Sequence, residues 1–239
     1  MYRYSAINTA YTCYLKYKLI YLDGEKAEID SADMQFGTAM HTAIHAHFLK
    51  QDPEDSFNFY WSIQKDKPLK YTRYNWEQLR EQGLKFISRW VRLHAKKYEP
   101  FKVEEKITTS LSGFIFQGTP DYAGLYEGVP TIVDFKTSAR EYDKKKIITN
   151  EQMYLYAQMV KQAYNYDVKQ LAYVVFIKGD EPRIQTNIKI DLDPRILDNS
   201  LKNVEMMCRD LEKRTEFPQN KNSCGYCEFY NKCFPEAKE

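Results

Sequence analysis

The sequence predicts a mixed α/β fold on three observations. The first hundred residues keep the apolar period of helices, residues 101–136 switch to short Gly-punctuated segments that alternate apolar and polar, and the remainder returns helix, strands and helix in turn. With 239 residues, 43% of them hydrophobic, the chain can bury a continuous core without staples, so a single domain is expected. Its parts are a mainly helical region over 1–100, a core over 101–214, and a tail over 215–239 of different character.

Each element has its own signal. Ser5 reads as the cap of a helix running to about Leu19, with Ile7, Tyr11, Tyr14 and Lys18 at helical spacing. A second helix starts near Ser31, with Asp33 in its first turn and Phe36, Met40, Ala43, Ile44 and Phe48 on one face. The stretch Gln51 to Lys70, rich in Asp, Pro and Lys, reads as a loop. A third helix covers Tyr74 to Tyr98, with Leu79, Phe86, Ile87, Trp90, Val91 and Leu93 as apolar positions. Phe101–Thr109, Gly113–Gln117, Asp121–Tyr126 and Pro130–Lys136 read as strands of a meander. A helix over Asn150–Tyr164, strands over Lys169–Ile177 and Pro182–Ile190, and a long helix behind Pro194 complete the chain.

Composition narrows the class. The net charge of +2 means that a polyanion would be held by a local basic stripe rather than by the net field. No apolar run approaches the roughly 18 to 20 residues needed to span a bilayer, and the start lacks a secretory pattern, so no membrane partner and a cytoplasmic location are expected. Five cysteines in such a chain argue for a metal or cluster site rather than disulfides, because cytosolic thiols stay reduced.

The chemistry concentrates in the segments GTPDYAG and TIVDFKT. Side chains alternate along a strand, so Asp134 and Lys136 point the same way and Phe135 the other. Two carboxylates, Asp121 and Asp134, can share a pocket with Lys136 and offer the oxygen donors that Mg²⁺ or Mn²⁺ takes. The ammonium beside them can orient water and offset charge on a phosphate. His41 and His45 on one helix face also allow packed histidines or half of a zinc site, although the acid expected after the first His is replaced by Thr42.

These residues resemble the PD-(D/E)xK nucleases, whose motif stands here as Pro120-Asp121 and Asp134-Phe135-Lys136. Two further matches resemble the RecB-type branch: Gly37-x-x-x-His41, and Gln152 with Tyr156 as Q-x-x-x-Y on the helix after the Lys strand. The resemblance implies a restriction-endonuclease-like mixed sheet core flanked by helices. It also implies that His41, Asp121, Asp134 and the backbone carbonyl of Phe135 hold one or two Mg²⁺ or Mn²⁺ ions, that Lys136 positions water, and that Gln152 and Tyr156 steady the strand. The family carries a glutamate on its first core strand. Glu105 shares the parity of Phe101, Val103 and Ile107 whereas Glu104 points away, so Glu105 is expected in that role. Arg140, Lys144, Lys145 and Lys146 are candidates for contact with a nucleic-acid backbone.

Cys224, Cys227 and Cys233 give three thiols near the C-terminus, and Cys13 on the first helix is the expected fourth. Four thiolates suit zinc or a four-iron cluster, and spacing alone leaves both open. The pattern resembles the iron-sulfur staple of AddB-like subunits and of CRISPR-associated exonucleases in the same branch, which implies a [4Fe-4S] cluster, with Zn²⁺ as the second choice, in a tail packed on the first helix. Cys208 reads as a buried small apolar residue.

The resemblance thus implies a Mg²⁺- or Mn²⁺-dependent deoxyribonuclease, an exonuclease on single-stranded DNA ends with 5′ preference. The contexts it implies are CRISPR spacer acquisition or phage and mobile-element recombination and repair, with other proteins of those processes as partners. No Walker-type motif is present to suggest a helicase fusion. The competing reading is a non-catalytic DNA-binding or adaptor module that keeps fold and cluster; its signature would be loss of Asp121, Asp134 or Lys136, and all three are present.

Overall fold

The computed structural model describes residues 1–26 and 30–235; the last four residues of the predicted tail lie outside them. Helix α1 (Tyr4–Thr12) is followed by α2 (Tyr14–Tyr17) and a π turn over Lys18–Leu22. The sequence predicts one helix here, capped by Ser5, but Arg3 takes the cap position and the chain is extended at Cys13, with φ −164°. The break is stabilised by the tail: the Thr12 carbonyl accepts hydrogen bonds from Asn220 Nδ2 at 2.9 Å and Ser223 Oγ at 3.2 Å. Leu15 N–H donates to the Pro218 carbonyl at 3.2 Å, so the tail crosses the break.

Strand β1 (Asp30–Ser31) leads into α3 (Ala32–Phe48), which starts at Ser31 as expected and buries Phe36, Met40, Ala43 and Ile44. The predicted loop after it instead contains α4 (Pro53–Ile63). Asp52 caps that helix, accepting from Glu54 N–H at 2.8 Å and Asp55 N–H at 3.0 Å, and Pro53 occupies the first helical position, where its missing donor costs nothing. Exposed Phe59 and Ile63 mask its fully buried pair, Phe57 and Trp61; each of these two contributes about 2–3 kcal/mol on removal from water. Strand β2 (Leu69–Lys70) pairs with β1, and α5 (Trp76–Leu93) begins with a capping box between Asn75 and Gln78. Val91 and Leu93, expected on its apolar face, are exposed.

The middle of the chain forms β3 (Tyr98–Val103), β4 (Ile107–Leu111), β5 (Phe114–Gly118), β6 (Tyr122–Tyr126) and β7 (Val129–Ser138). The predicted strand Phe101–Thr109 is therefore two: the chain turns at Glu104, φ +49°, and β4 leaves the sheet to pair with β5. Short α6 (Lys144–Ile148), which carries the basic candidates Lys144, Lys145 and Lys146, precedes α7 (Glu151–Tyr164). Strands β8 (Gln170–Ile177) and β9 (Arg183–Asp191), helix α8 (Pro194–Lys213), a 3-10 turn over Lys221–Tyr226 and α9 (Tyr230–Cys233) complete the described chain.

The main sheet runs β3-β6-β7-β8-β9, with β7 and β8 parallel and the other pairs antiparallel. A parallel pair needs a crossover, which α6 and α7 supply. Alternation splits the sheet into two faces. Ile132, Leu171, Tyr173 and Val175 join a core with residues of α1, α7 and α8, whereas Val133, Phe135, Val174 and Phe176 join one with residues of α3, α4 and α5. A five-stranded mixed sheet between two helical layers is the restriction-endonuclease-like arrangement expected.

Gly83 lies where α5 meets α4, and a Cβ placed on it would come 2.1 Å from Phe57 Cζ. In an exposed helix Gly to Ala would add about 1 kcal/mol of stability. Here Gly83→Ala is expected to destabilise by about 1–3 kcal/mol through overpacking, measured by urea unfolding.

Candidate active site

The antiparallel register of β6 and β7 pairs Tyr122 with Val133, so extending it by one residue sets Asp121 opposite Asp134. The Phe135 N–H donates to Asp121 Oδ2 at 2.7 Å and locks this arrangement. Two residues along β7 on the same face, Lys136 places its Nζ 2.6 Å from Asp134 Oδ2. Phe135 packs into the opposite core, as its parity requires. The segment Pro120–Asp121 and the triplet Asp134–Lys136 therefore meet as the sequence expects, with Phe135 entering through its amide N–H.

Helix α3 brings His41 to the same place. Its Nδ1 lies 3.4 Å from Asp121 Oδ1 and 3.5 Å from Glu104 Oε1. His41, Glu104 and Asp121 each offer a ligand atom within 4.8 Å of the other two, the one such group of three or more among the described residues. His45, four residues on, is not part of it.

The glutamate differs from the expectation. Glu104, not Glu105, faces His41, while Glu105 lies 2.8 Å from Lys102 Nζ and accepts from the Tyr164 hydroxyl at 2.6 Å. The parity argument assumed an unbroken strand. The pairing of β3 with β6 slips between Pro100 and Lys102, and the chain is left-handed at Glu104, whose N–H reaches the Asp121 carbonyl at 3.2 Å. A bulge and a turn within four residues invert the faces.

Electrostatics fit a cation. Burial pushes the Asp134 carboxyl up, to about 6, further than the adjoining Lys136 draws it down, and Asp121 adds to the rise. Burial alone would also raise Asp121, but the charge of His41 and its hydrogen bond, then Lys136 and the Phe135 N–H, hold it below the usual carboxylate range. Burial would lower His41, yet Asp121 and Glu104 push it up to about 10. Lys136 stays well above its ordinary range because Asp134 and Asp121 outweigh its burial. Asp134 Oδ2 is buried and has no hydrogen bond of proper geometry among the described residues. Once His41 releases its proton, three carboxylates against one ammonium leave two negative charges, the complement of a divalent ion. The donor set of carboxylate oxygens and one imidazole suits Mg²⁺ or Mn²⁺.

On α7, Gln152 Nε2 donates to the Tyr156 hydroxyl at 2.9 Å, so the expected pair shares one face. Burial, then the charges of Asp121 and Asp134, raise the Tyr156 phenol. Gly118 makes room for it: a Cβ there would lie 2.6 Å from Tyr156 Cε1. Sequence reasoning missed Asn150 and Tyr173. Tyr173 pairs in register with Asp134, and its hydroxyl accepts from Asn150 Nδ2, while Asn150 Oδ1 caps α7 through the Gln152 N–H at 2.9 Å. The available signal was the cap residue ahead of the helix. Lys144, Lys145 and Lys146 are exposed on α6 beyond the Lys136 strand, and Arg140 N–H is held by Ser138 Oγ at 3.1 Å.

The four expected thiols also converge. Cys13, Cys224, Cys227 and Cys233 line one cavity of about 190 Å³ with Leu19 and Phe229, and all four are free. Asn220 N–H lies 3.3 Å from Cys13 Sγ. Burial and then the neighbouring thiols raise Cys233. Cys208 is buried in the core, away from them.

A metal ligand must be unprotonated, and His41 carries its proton at pH 7, so Mn²⁺ binding to metal-free protein is expected to release about one proton and to tighten as pH rises toward about 10. Calorimetry in buffers of different ionisation enthalpy measures this. Glu104→Gln weakens binding at least about tenfold, and Glu105→Gln leaves it unchanged.

Comparison with known proteins gives the fold and the family. No curated protein matches the chain. A solved structure, the "Putative exonuclease" of Eubacterium rectale, aligns with a TM-score of 0.61 at 18% identity, covering 99% of this chain and 88% of that one, which is a likeness of fold. A second, SSO0001, gives a TM-score of 0.36 at 15% identity over 90% of this chain and 92% of that one, too low to support an argument. Residues 4–234 match the PD-(D/E)XK nuclease superfamily, and with its acids, lysine and sheet in the places described, the chain belongs to that superfamily.

Proposed function

We propose that the protein is a metal-dependent deoxyribonuclease of the RecB-type branch, acting as an exonuclease on single-stranded DNA ends with a preference for 5′ ends. The observation that carries the reading is the group His41, Glu104 and Asp121, with Asp134 and Lys136 adjoining it. His41, Asp121 and Asp134, with Glu104 in place of Glu105 and the Phe135 carbonyl as a further donor, would hold Mg²⁺ or Mn²⁺. When bound, the ion supplies a polarised phosphate and a more acidic water. Lys136, fixed by Asp134, orients the attacking water and offsets charge that builds on the phosphate. Gln152 and Tyr156 hold the strand on the adjoining helix face, and Asn150 fixes where that face begins. Lys144, Lys145, Lys146 and Arg140 take the backbone beyond.

The contexts that suit a nuclease of this build are CRISPR spacer acquisition and phage or mobile-element recombination and repair, in the cytoplasm, with proteins of those processes as partners. The name of the Eubacterium rectale protein is in keeping with exonuclease action. Among the described residues no helix is long and apolar enough to cross a membrane.

The tail that lies across α1 and α2 acts in this reading as a cluster-binding staple of a single nuclease domain. Zinc holds thiolates at about 2.3 Å, which brings four sulfurs within about 4 Å of one another. Cys13, Cys224, Cys227 and Cys233 line one cavity of about 190 Å³. The choice of [4Fe-4S] over Zn²⁺ rests on the resemblance of their spacing to the iron-sulfur staple. Metal analysis of anaerobically purified protein is expected to give about four iron per chain; one zinc and no iron would reverse the assignment.

The central test is cleavage of 5′- and 3′-labelled linear single- and double-stranded DNA with Mn²⁺. Lys136→Ala and Asp134→Asn are expected to lower the rate at least about a thousandfold, loss of about 4 kcal/mol of transition-state stabilisation, with circular dichroism unchanged. Equal cleavage by wild type and Lys136→Ala would favour the non-catalytic binding module.

A further inference from the structure

At the rim of the core lies an aromatic cluster whose Tyr164 and Tyr166 pack against it while Phe101 does not. Phe101 sits at the slip in β3, on an outer strand of the sheet, and is 43% exposed. Its ring stacks on Tyr166, with centroids 4.7 Å and planes 8° apart, and meets the edge of Tyr164 at 5.7 Å. Lys102 holds its Nζ 4.9 Å from the Tyr164 centroid and 5.8 Å from that of Phe101. Glu105, displaced from the metal group, fixes this arrangement by its ion pair with Lys102 and its hydrogen bond from Tyr164. Backing ring, edge ring and cation are thus pre-set around one exposed phenyl group.

Two paths measure its distance from the metal group. Glu104 follows Phe101 by three residues, which limits their Cα separation to about 11 Å. Tyr164 follows Tyr156 by two turns of α7, about 12 Å along the axis. Both keep the backbone of the cluster within about 12 Å of Glu104 or Tyr156, roughly three to four nucleotides of a stacked strand at about 3.4 Å each.

We propose that Phe101, backed by Tyr166 and flanked by Tyr164 and Lys102, is a stacking platform for an unpaired base of a single-stranded nucleic acid that leads into the active site. The proposal rests on the nuclease reading and names its substrate class by chemistry. A duplex covers the faces of its bases, whereas an unpaired base has a π-face free to meet a ring, and its phosphate suits the adjoining ammonium. A protein partner would call for a broader apolar patch, and Phe101 is flanked by exposed Glu99 and Pro100 and by Lys102. The platform also gives Glu105 a role, which is to position Lys102 and Tyr164.

The test uses the full chain without added divalent metal and single-stranded oligonucleotides carrying 2-aminopurine near one end. Phe101→Leu keeps an apolar cover on the strand edge and removes the ring; Phe101→Trp keeps a ring. Wild type and Phe101→Trp are expected to quench the probe, and Phe101→Leu to lose the quench and bind roughly five- to a hundredfold more weakly, with duplex binding unchanged. Equal single-strand Kd and quench in Phe101→Leu, or equal losses on single strand and duplex, would overturn the platform. If Phe101→Leu does not fold, Lys102→Gln reads the same site: a salt dependence of single-strand binding shallower by about one phosphate contact supports it, and an unchanged slope refutes it. Because binding is read without metal, loss of the platform with Lys136-dependent cleavage intact condemns the platform alone. Absence of cleavage in wild type condemns the nuclease reading itself.

Discussion

The hydrogen bond from the Phe135 N–H to Asp121 Oδ2 joins the entry of β6 to the middle of β7 and forces two carboxylates to face each other. Like charges so placed repel, and burial raises the cost. The protein offsets that cost from two directions, with Lys136 on the strand of Asp134 and a protonated His41 on α3 against Asp121 and Glu104. The arrangement stores negative charge that one divalent ion can complete.

The two cores exist to hold those residues still. Phe135 anchors β7 among Trp90, Tyr98 and Phe176 on one face, so that its neighbours Asp134 and Lys136 are fixed on the other. On the second face α7 brings Tyr156 against Gly118, and the cap at Asn150, shared with Tyr173, sets the height at which Gln152 begins the helix. Helix α3 reaches across from the first core to supply His41. The site is therefore assembled where both layers meet the same strand, and a shift of either layer moves a functional group.

The far end of the chain is tied in by a different device. The extended residue Cys13 interrupts the first helix, and the Thr12 carbonyl that the break exposes is taken up by Asn220 and Ser223. The same crossing lines a cavity with four thiols. Helical break, tail contact and cysteine convergence are one feature, and only the last of them left a trace in the residue spacing.

Much of the fold and most of the candidate site are legible in the residues. The alternation of Asp134, Phe135 and Lys136, the i and i+4 placing of Gln152 and Tyr156, and the cap at Ser31 are local rules, and local rules survive into the structure. Helix α4 was hidden because its fully buried face is only Phe57 and Trp61 while Phe59 and Ile63, equally apolar, are exposed and blur the period, although Asp52-Pro53 marks its start. Glu104 was hidden because parity holds only along an unbroken strand, and the slip at Pro100 to Lys102 with the left-handed turn reverses it. The residues themselves supply the chemistry: which acids, which lysine, which histidine and which thiols. Which glutamate faces His41, and what Glu105 does instead, follows from the packed fold, because a bulge is set by how one strand docks against its neighbour and not by the residues within it.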